Sequence, residues 1–162
     1  SSKKIYNFKN SQFPFVDLAL KVNNSMPNHT VKVVKMLNNN NLKNKKILIC
    51  GASYKNDIGD TRYSPSEILY KKLKKLGCNI EIYDPYVKLW SELNLKVSQK
   101  IKNFNNFDNI IFAVNHNEFA NINFSKLNKK RIIVDACGIL SSKQKSTLNK
   151  RDAVVYKIGQ GI

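Results

Sequence analysis

From Lys45 onward, short apolar runs alternate with longer amphipathic stretches. The runs at residues 47–50, 79–83, 109–114, 131–135 and 153–156 are short and rich in isoleucine and valine, which predicts strands. The stretches at 64–76, 87–93, 117–127 and 141–149 predict helices between them. The run 109–114 is almost continuously apolar, as expected of a strand covered on both faces. Strands that alternate with helices in this way specify an α/β domain. Its core is a doubly wound, mainly parallel sheet with helices on both faces.

The best-marked element is the helix at 64–76. Ser64 stands as N-cap, Pro65 occupies the first helical position, whose amide needs no partner, and Glu67 is the third residue. Lys74 and Lys75 lie in the last turn and Gly77 follows as the terminator. Upstream, Val16, Leu18, Ala19, Leu20 and Val22, then Val31, Val33, Val34, Met36 and Leu37, recur at helical spacing. They predict a long helix over 13–38. Pro27 lies between the two sets and is expected to kink or split it, because proline lacks an amide hydrogen and crowds the preceding turn. Residues 1–12 read as a disordered, tag-like end, residues 13–40 as a connecting helix and residues 45–162 as the sheet domain.

Composition narrows the functional classes. The 162 residues are 42% hydrophobic and 24% charged, an ordinary balance for a globular chain, but the net charge is +17. A charge of that size suits nucleic acid, an acidic membrane or an anionic small molecule. The cations are nearly all lysine, with arginine only at 62, 131 and 151, and they accompany abundant asparagine and isoleucine. That pattern reads as A/T-rich codon usage and a solvated lysine surface. No zinc, helix-turn-helix or RNA-motif pattern accompanies it. No apolar run approaches the roughly 20 residues a membrane helix needs, and no apolar leader is visible. Cys50, Cys78 and Cys137 are odd in number and lack a CxxC spacing. They read as reduced thiols, in keeping with a cytoplasmic location. His29 and His116 are far apart, so no metal-site spacing exists. Trp90, Phe104 and Phe107 read as packing residues.

In a doubly wound sheet, ligands gather at the C-terminal ends of the strands. Those ends carry residues 51–62, Asp84-Pro85, Asn115-His116 and 135–138. The first loop is long for a strand-to-helix connection, roughly a dozen residues, and loops of that length are often functional. It leads into a helix N-terminus, where free amides and the dipole favour an anion. Arg62 can grip a phosphate bidentately, Lys55 supplies a point charge and Tyr54 offers a stacking face. The loop is neither a GxGxxG fingerprint nor a Walker A loop. The alternative is that Asp57, Asp60 and Arg62 merely pair with one another. His116 could contact a ligand or cap the next helix.

The order Gly51, Tyr54-Lys55, Asp57, Gly59-Asp60-Thr61-Arg62, Ser64-Pro65 resembles the signature of the UDP-glucose/GDP-mannose dehydrogenase family, in its C-terminal UDP-binding domain. Tyr83-Asp84-Pro85-Tyr86, Ala113-Val114 with His116, Glu118 and Phe119, Val134-Asp135 and Ile158-Gly159 are similar to later family positions, in the same order. Val22-Asn23-Asn24-Ser25-Met26-Pro27 resembles the family's central helix. The resemblance implies a Rossmann-like UDP-sugar-binding domain of an enzyme that oxidises a sugar C6 alcohol to a carboxylate with two NAD. It implies that Tyr54 and Lys55 contact the nucleotide sugar, that Arg62 reaches the NAD pyrophosphate, and that Asp60 and Thr61 brace the loop. It also implies a homodimer through helix 13–38.

Two departures from the family pattern matter. The family's nucleophilic cysteine and its NAD-binding Rossmann domain precede the central helix, and neither is in this chain. No catalytic residue is therefore expected here, and the chain alone is expected to be inactive. Some members carry a substrate-contacting arginine where this chain reads Cys137, which makes Cys137 a weak candidate substrate position and, more simply, a loop-end thiol. Against this reading stand a basic nucleic-acid-binding module and a purely structural dimerisation piece.

Overall fold

The computed structural model describes residues 14–128 and 130–159, with side chains from residue 25 onward. The 1–12 end lies outside the described residues. A long helix, α1 (Pro14–Leu37), leads into strand β1 (Lys46–Cys50), helix α2 (Pro65–Lys75) and strand β2 (Asn79–Tyr83). A short hairpin follows, β3 (Leu89–Trp90) and β4 (Leu95–Lys96), and then β5 (Asn109–Phe112), β6 (Ile132–Asp135), α3 (Ser142–Asn149) and β7 (Val154–Lys157). The main sheet has five strands in the order β2-β1-β5-β6-β7. All four pairings in it are parallel. The chain leaves β1 toward β2 and returns to the other side of β1 as β5. The switch point therefore lies between the C-terminal ends of β1 and β5.

Alternation along the strands separates two cores. Ile47, Ile49, Ile111 and Val134 face α1 and α2, where Val33, Val34, Leu69, Leu73 and Trp90 meet them. Leu48, Cys50, Ile110, Phe112 and Ile133 face the other way, onto Phe119, Phe124 and Leu148. Every residue of β5 is buried, which explains its unbroken apolar run. Phe107 and Trp90 are core residues, while His29 is exposed. Helix α2 begins and ends as its sequence predicts. Ser64 Oγ accepts from the Ser66 amide at 3.2 Å, and Gly77 leaves the helix with φ +80°.

Three local expectations are corrected. Helix α1 is not split at Pro27, which sits inside one continuous helix. One missing backbone donor is tolerated there because the C-terminal half is held by its apolar face, with Val31, Val33 and Val34 all buried. Residues 87–93 do not form one helix: Leu89–Trp90 is a strand, and only Ser91–Leu93 makes a 3-10 turn. Trp90 is buried and Leu89 exposed, the alternation of a strand, and Asn94 turns the chain in the left-handed region at φ 50°. The 117–127 helix shrinks to a 3-10 turn over Asn117–Asn121. Beyond it Gln144 of α3 spends its side-chain amide on the carbonyls of Phe119 and Ile122, both at 3.0 Å, fixing the path as irregular chain.

Candidate functional site

The loop at residues 51–65 leaves β1 at the switch point. Gly51 permits this at close quarters: its φ is +108°, and a Cβ there would lie 2.5 Å from Val114 Cβ. The next two residues are fixed by a carboxylate from the neighbouring strand end. Asp84 is fully buried. Its Oδ2 accepts from the Ala52 amide at 2.8 Å, the Ser53 amide at 3.1 Å and Ser53 Oγ at 2.9 Å. Its Oδ1 accepts from the Tyr86 amide at 2.9 Å. Burial alone would raise the Asp84 carboxyl, but hydrogen bonds from His116, Tyr86 and Ala52 more than offset it and hold it below the usual carboxylate range.

His116 completes this arrangement. Its ring is fully buried. Nε2 lies 3.0 Å from Asp84 Oδ2, and Nδ1 accepts from the Asp57 amide at 2.8 Å. Tyr86 and Phe119 hold the ring from two sides, each with centroids 5.1 Å away. His116 stands at the N-cap position of the following turn, but its side chain does not cap it, because both ring nitrogens are engaged elsewhere. Asp57 adopts φ 57°, a conformation aspartate tolerates better than most residues. Its carboxylate accepts from the Asn117 amide at 2.9 Å, Asn117 Nδ2 at 2.6 Å and Tyr86 Oη at 3.3 Å.

The return limb is held as firmly. The Tyr54 amide donates to the Asp60 carbonyl at 2.7 Å. Buried Thr61 donates to Glu92 Oε2 at 2.7 Å, tying the loop to the β3–β4 hairpin. Ser64 Oγ reaches back to the Ser53 carbonyl at 3.2 Å. Gly59 passes so near the turn after β2 that a Cβ would sit 2.5 Å from the Tyr86 carbonyl oxygen. The exposed residues of the loop are Tyr54, Lys55, Asn56, Ile58, Gly59, Arg62 and Tyr63. Lys55 Nζ lies 5.9 Å from the Tyr54 ring centroid, so cation and ring share one side. Arg62 is paired bidentately with Asp60, Nε–Oδ1 2.9 Å and Nη2–Oδ2 2.7 Å, and its side chain stays 75% exposed. These bonds lower the Asp60 carboxyl to about 2. Asp60 and Arg62 do pair with each other, as the simpler reading of the loop allows, but Asp57 belongs to a different cluster.

Cys137 stands apart from this loop. It follows β6, where Asp135 Oδ1 accepts from the Gly138 and Ile139 amides at 2.7 and 3.0 Å and Oδ2 from Leu140 at 3.1 Å. Burial, with the Asp135 carboxylate beside it, pushes the Cys137 thiol up to about 12. Cys50 is fully buried and its thiol is likewise raised, first by burial; burial raises Cys78 too. None of the three is poised as a thiolate nucleophile at neutral pH. Among the described residues there is no cluster of histidine, cysteine and carboxylate able to hold a metal ion, and no helix long and apolar enough to cross a membrane.

Sequence reasoning placed Tyr54, Lys55, Asp60, Thr61 and Arg62 on one loop, and the structure brings them together there. It missed Asp84 as the carboxylate on which the loop is built and His116 as its partner. The local signal for Asp84 is a carboxylate directly after the buried C-terminal end of β2, where Ile82 and Tyr83 enter the core.

Comparison with known proteins places this geometry. The model of the UDP-glucose/GDP-mannose dehydrogenase family, UDP binding domain, matches residues 48–142, more than half of the chain. The UDP-N-acetyl-D-mannosamine dehydrogenase of Methanococcus aeolicus is 30% identical over 138 residues, covering 81% of this chain and 29% of that protein. The UDP-glucose 6-dehydrogenase of Rickettsia conorii is 27% identical over 152 residues, covering 88% and 34%. The NDP-N-acetyl-D-galactosaminuronic acid dehydrogenase of Methanosarcina mazei shares the fold, with a TM-score of 0.76 at 22% identity, covering 93% of this chain and 32% of that one. The UDP-N-acetyl-mannosamine dehydrogenase of Staphylococcus aureus superposes with a TM-score of 0.68 at 26% identity, covering 86% and 31%. The chain thus spans about a third of the length of the relatives it matches. It belongs to the UDP-glucose/GDP-mannose dehydrogenase family and carries that family's UDP binding domain.

Proposed function

We propose that the chain is the nucleotide-sugar-binding portion of an NAD-dependent UDP-sugar 6-dehydrogenase, which oxidises the sugar C6 alcohol to a carboxylate in two steps. The observation that supports this most is the braced loop at residues 51–65, which holds Tyr54, Lys55 and Arg62 outward at the switch point of the sheet. In this reading Tyr54 and Lys55 face the nucleotide sugar. The lysine is a point charge suited to a carboxylate as it develops. Arg62, oriented by Asp60 yet mostly exposed, fits one pyrophosphate contact. NAD, when bound, supplies the hydride acceptor in both steps. His116 is reserved for the loop itself, and Cys137 contributes at most a weak contact through its rim position. The raised thiols support a division of labour in which the nucleophile comes from outside this chain. The same reading has the enzyme cytoplasmic and dimeric through helix 13–38.

The test is a titration of the isotope-labelled chain with UDP, UDP-glucuronate and NAD, followed by amide NMR. Both uridine ligands are expected to shift Tyr54 and Lys55, the glucuronate more strongly at Lys55, and NAD to shift Arg62. If millimolar UDP-glucuronate moves no signal between residues 51 and 64, the site is misassigned. A Lys55→Met chain should bind UDP-glucuronate about tenfold more weakly, the size expected for one charge-assisted contact.

A further inference from the structure

Residues 54–56 form an arch whose two feet stand on the same buried pair. At one foot, Ser53 donates its amide and hydroxyl to Asp84 Oδ2, at 3.1 and 2.9 Å. At the other, the Asp57 amide donates to His116 Nδ1 at 2.8 Å. The two feet are joined beneath the arch by His116 Nε2, 3.0 Å from that same Asp84 oxygen. Each bond fixes the next. An Nδ1 that accepts from an amide carries no hydrogen, so the single ring proton resides on Nε2, where a carboxylate receives it. The opposite tautomer would set two N–H groups against each other and remove the ring donor from Asp84. Tyr86 and Phe119 pack against the ring, each with centroids 5.1 Å away.

We infer that His116, as the neutral Nε2–H tautomer, is a positioning residue that sets the conformation of Tyr54 and Lys55 by joining Asp84 to the Asp57 amide. This deepens the proposed function, because the ligand affected is the nucleotide sugar placed at Tyr54 and Lys55. His116 has no exposed surface, so its influence on that ligand passes entirely through the arch.

The inference is tested in the full chain at two levels. Long-range proton–nitrogen NMR of the imidazole reads the tautomer without any ligand. A non-protonated Nδ1 and a protonated Nε2 at neutral pH are expected, and a proton on Nδ1 overturns the inference. Two variants then divide the linkage. His116→Asn retains an acceptor near the Nδ1 position but does not reach Asp84. His116→Gln retains a donor toward Asp84 but offers Asp57 no acceptor. The Asp57 amide is expected to exchange about tenfold faster in the glutamine variant, with the asparagine variant nearer the parent chain. UDP-glucuronate affinity should follow the same order. Equal effects in both variants would make His116 a packing residue and sink the inference. If His116→Gln leaves UDP-glucuronate binding unchanged while Lys55→Met weakens it, the positioning role fails and the proposed function stands. If the tautomer and exchange results hold but Lys55→Met has no effect, the proposed function fails and the linkage stands.

Discussion

Two loops at the C-terminal edge of the sheet are built on the same device and differ in where it comes from. After β6, Asp135 folds its carboxylate onto the amides of Gly138, Ile139 and Leu140, its own near neighbours. After β1, the loop at 51–65 supplies no such carboxylate for its stem. It takes Asp84 from the end of β2 and His116 from beyond β5. The first is a self-contained turn that any segment of its sequence could make. The second exists only once three strand ends have come together. A locally built loop leaves little outside it, whereas the remotely built one can hold the side chains of Tyr54 and Lys55 outward without using them for its own support.

The largest expected effect separates the two devices directly. Asp84→Ala strands five donors, the amides of Ala52, Ser53 and Tyr86, Ser53 Oγ and His116 Nε2. It should cost about 3–5 kcal/mol, the range for removing one member of a buried charged cluster, as read by urea unfolding. Amide signals of 51–62 should be displaced while those of 135–140 stay. Asp135→Ala should cost less, about 2–3 kcal/mol for the unpaired amides, and leave 51–62 in place. If it disturbs the first loop equally, the two are one cooperative unit and the contrast fails. Gly59→Ala drives a methyl group to 2.5 Å from the Tyr86 carbonyl. It should cost about 1–3 kcal/mol as an overpacked contact, with Tyr86 and Asp57 signals moving together.

Acid offers a gentler probe of the rim. The Asp60 carboxyl, held at about 2 against an ordinary 3.8 by its bonds to Arg62, favours the folded loop while ionised. That contribution is present above about pH 4 and is lost as pH falls toward about 2. The Asp60 carboxyl carbon should titrate with a midpoint near 2, and Arg62→Gln should return it toward its ordinary value. The smallest expected effect is at Cys137. Its thiol, pushed up to about 12, should alkylate far more slowly at pH 8 than an unperturbed cysteine, and Asp135→Asn should speed it.

The same local-against-remote distinction governs what could be read in advance. The cap, the proline and the terminating glycine of α2 act within a few residues, and all behave as written. The strands were legible because burial on both faces leaves an unbroken apolar run, as in β5. Residues 87–93 misled because a stretch that short satisfies either period. Only packing decides it, and here Trp90 enters the core beside Tyr70, with ring centroids 6.5 Å apart. Pro27 does not end α1, whose buried C-terminal face carries the helix past it. The link between Asp84, His116 and the first loop is not legible because the groups it joins stand 31 to 59 residues apart. No window of sequence contains them.

The arch over residues 54–56 has a thermodynamic consequence. Fixing the backbone of a residue costs about 1–2 kcal/mol in lost freedom, and with both feet of the arch anchored, that ordering belongs to folding. A ligand arriving at Tyr54 and Lys55 then meets a surface that has little entropy left to lose. Its binding should be governed by contacts and displaced water, with the calorimetric signature of a rigid site.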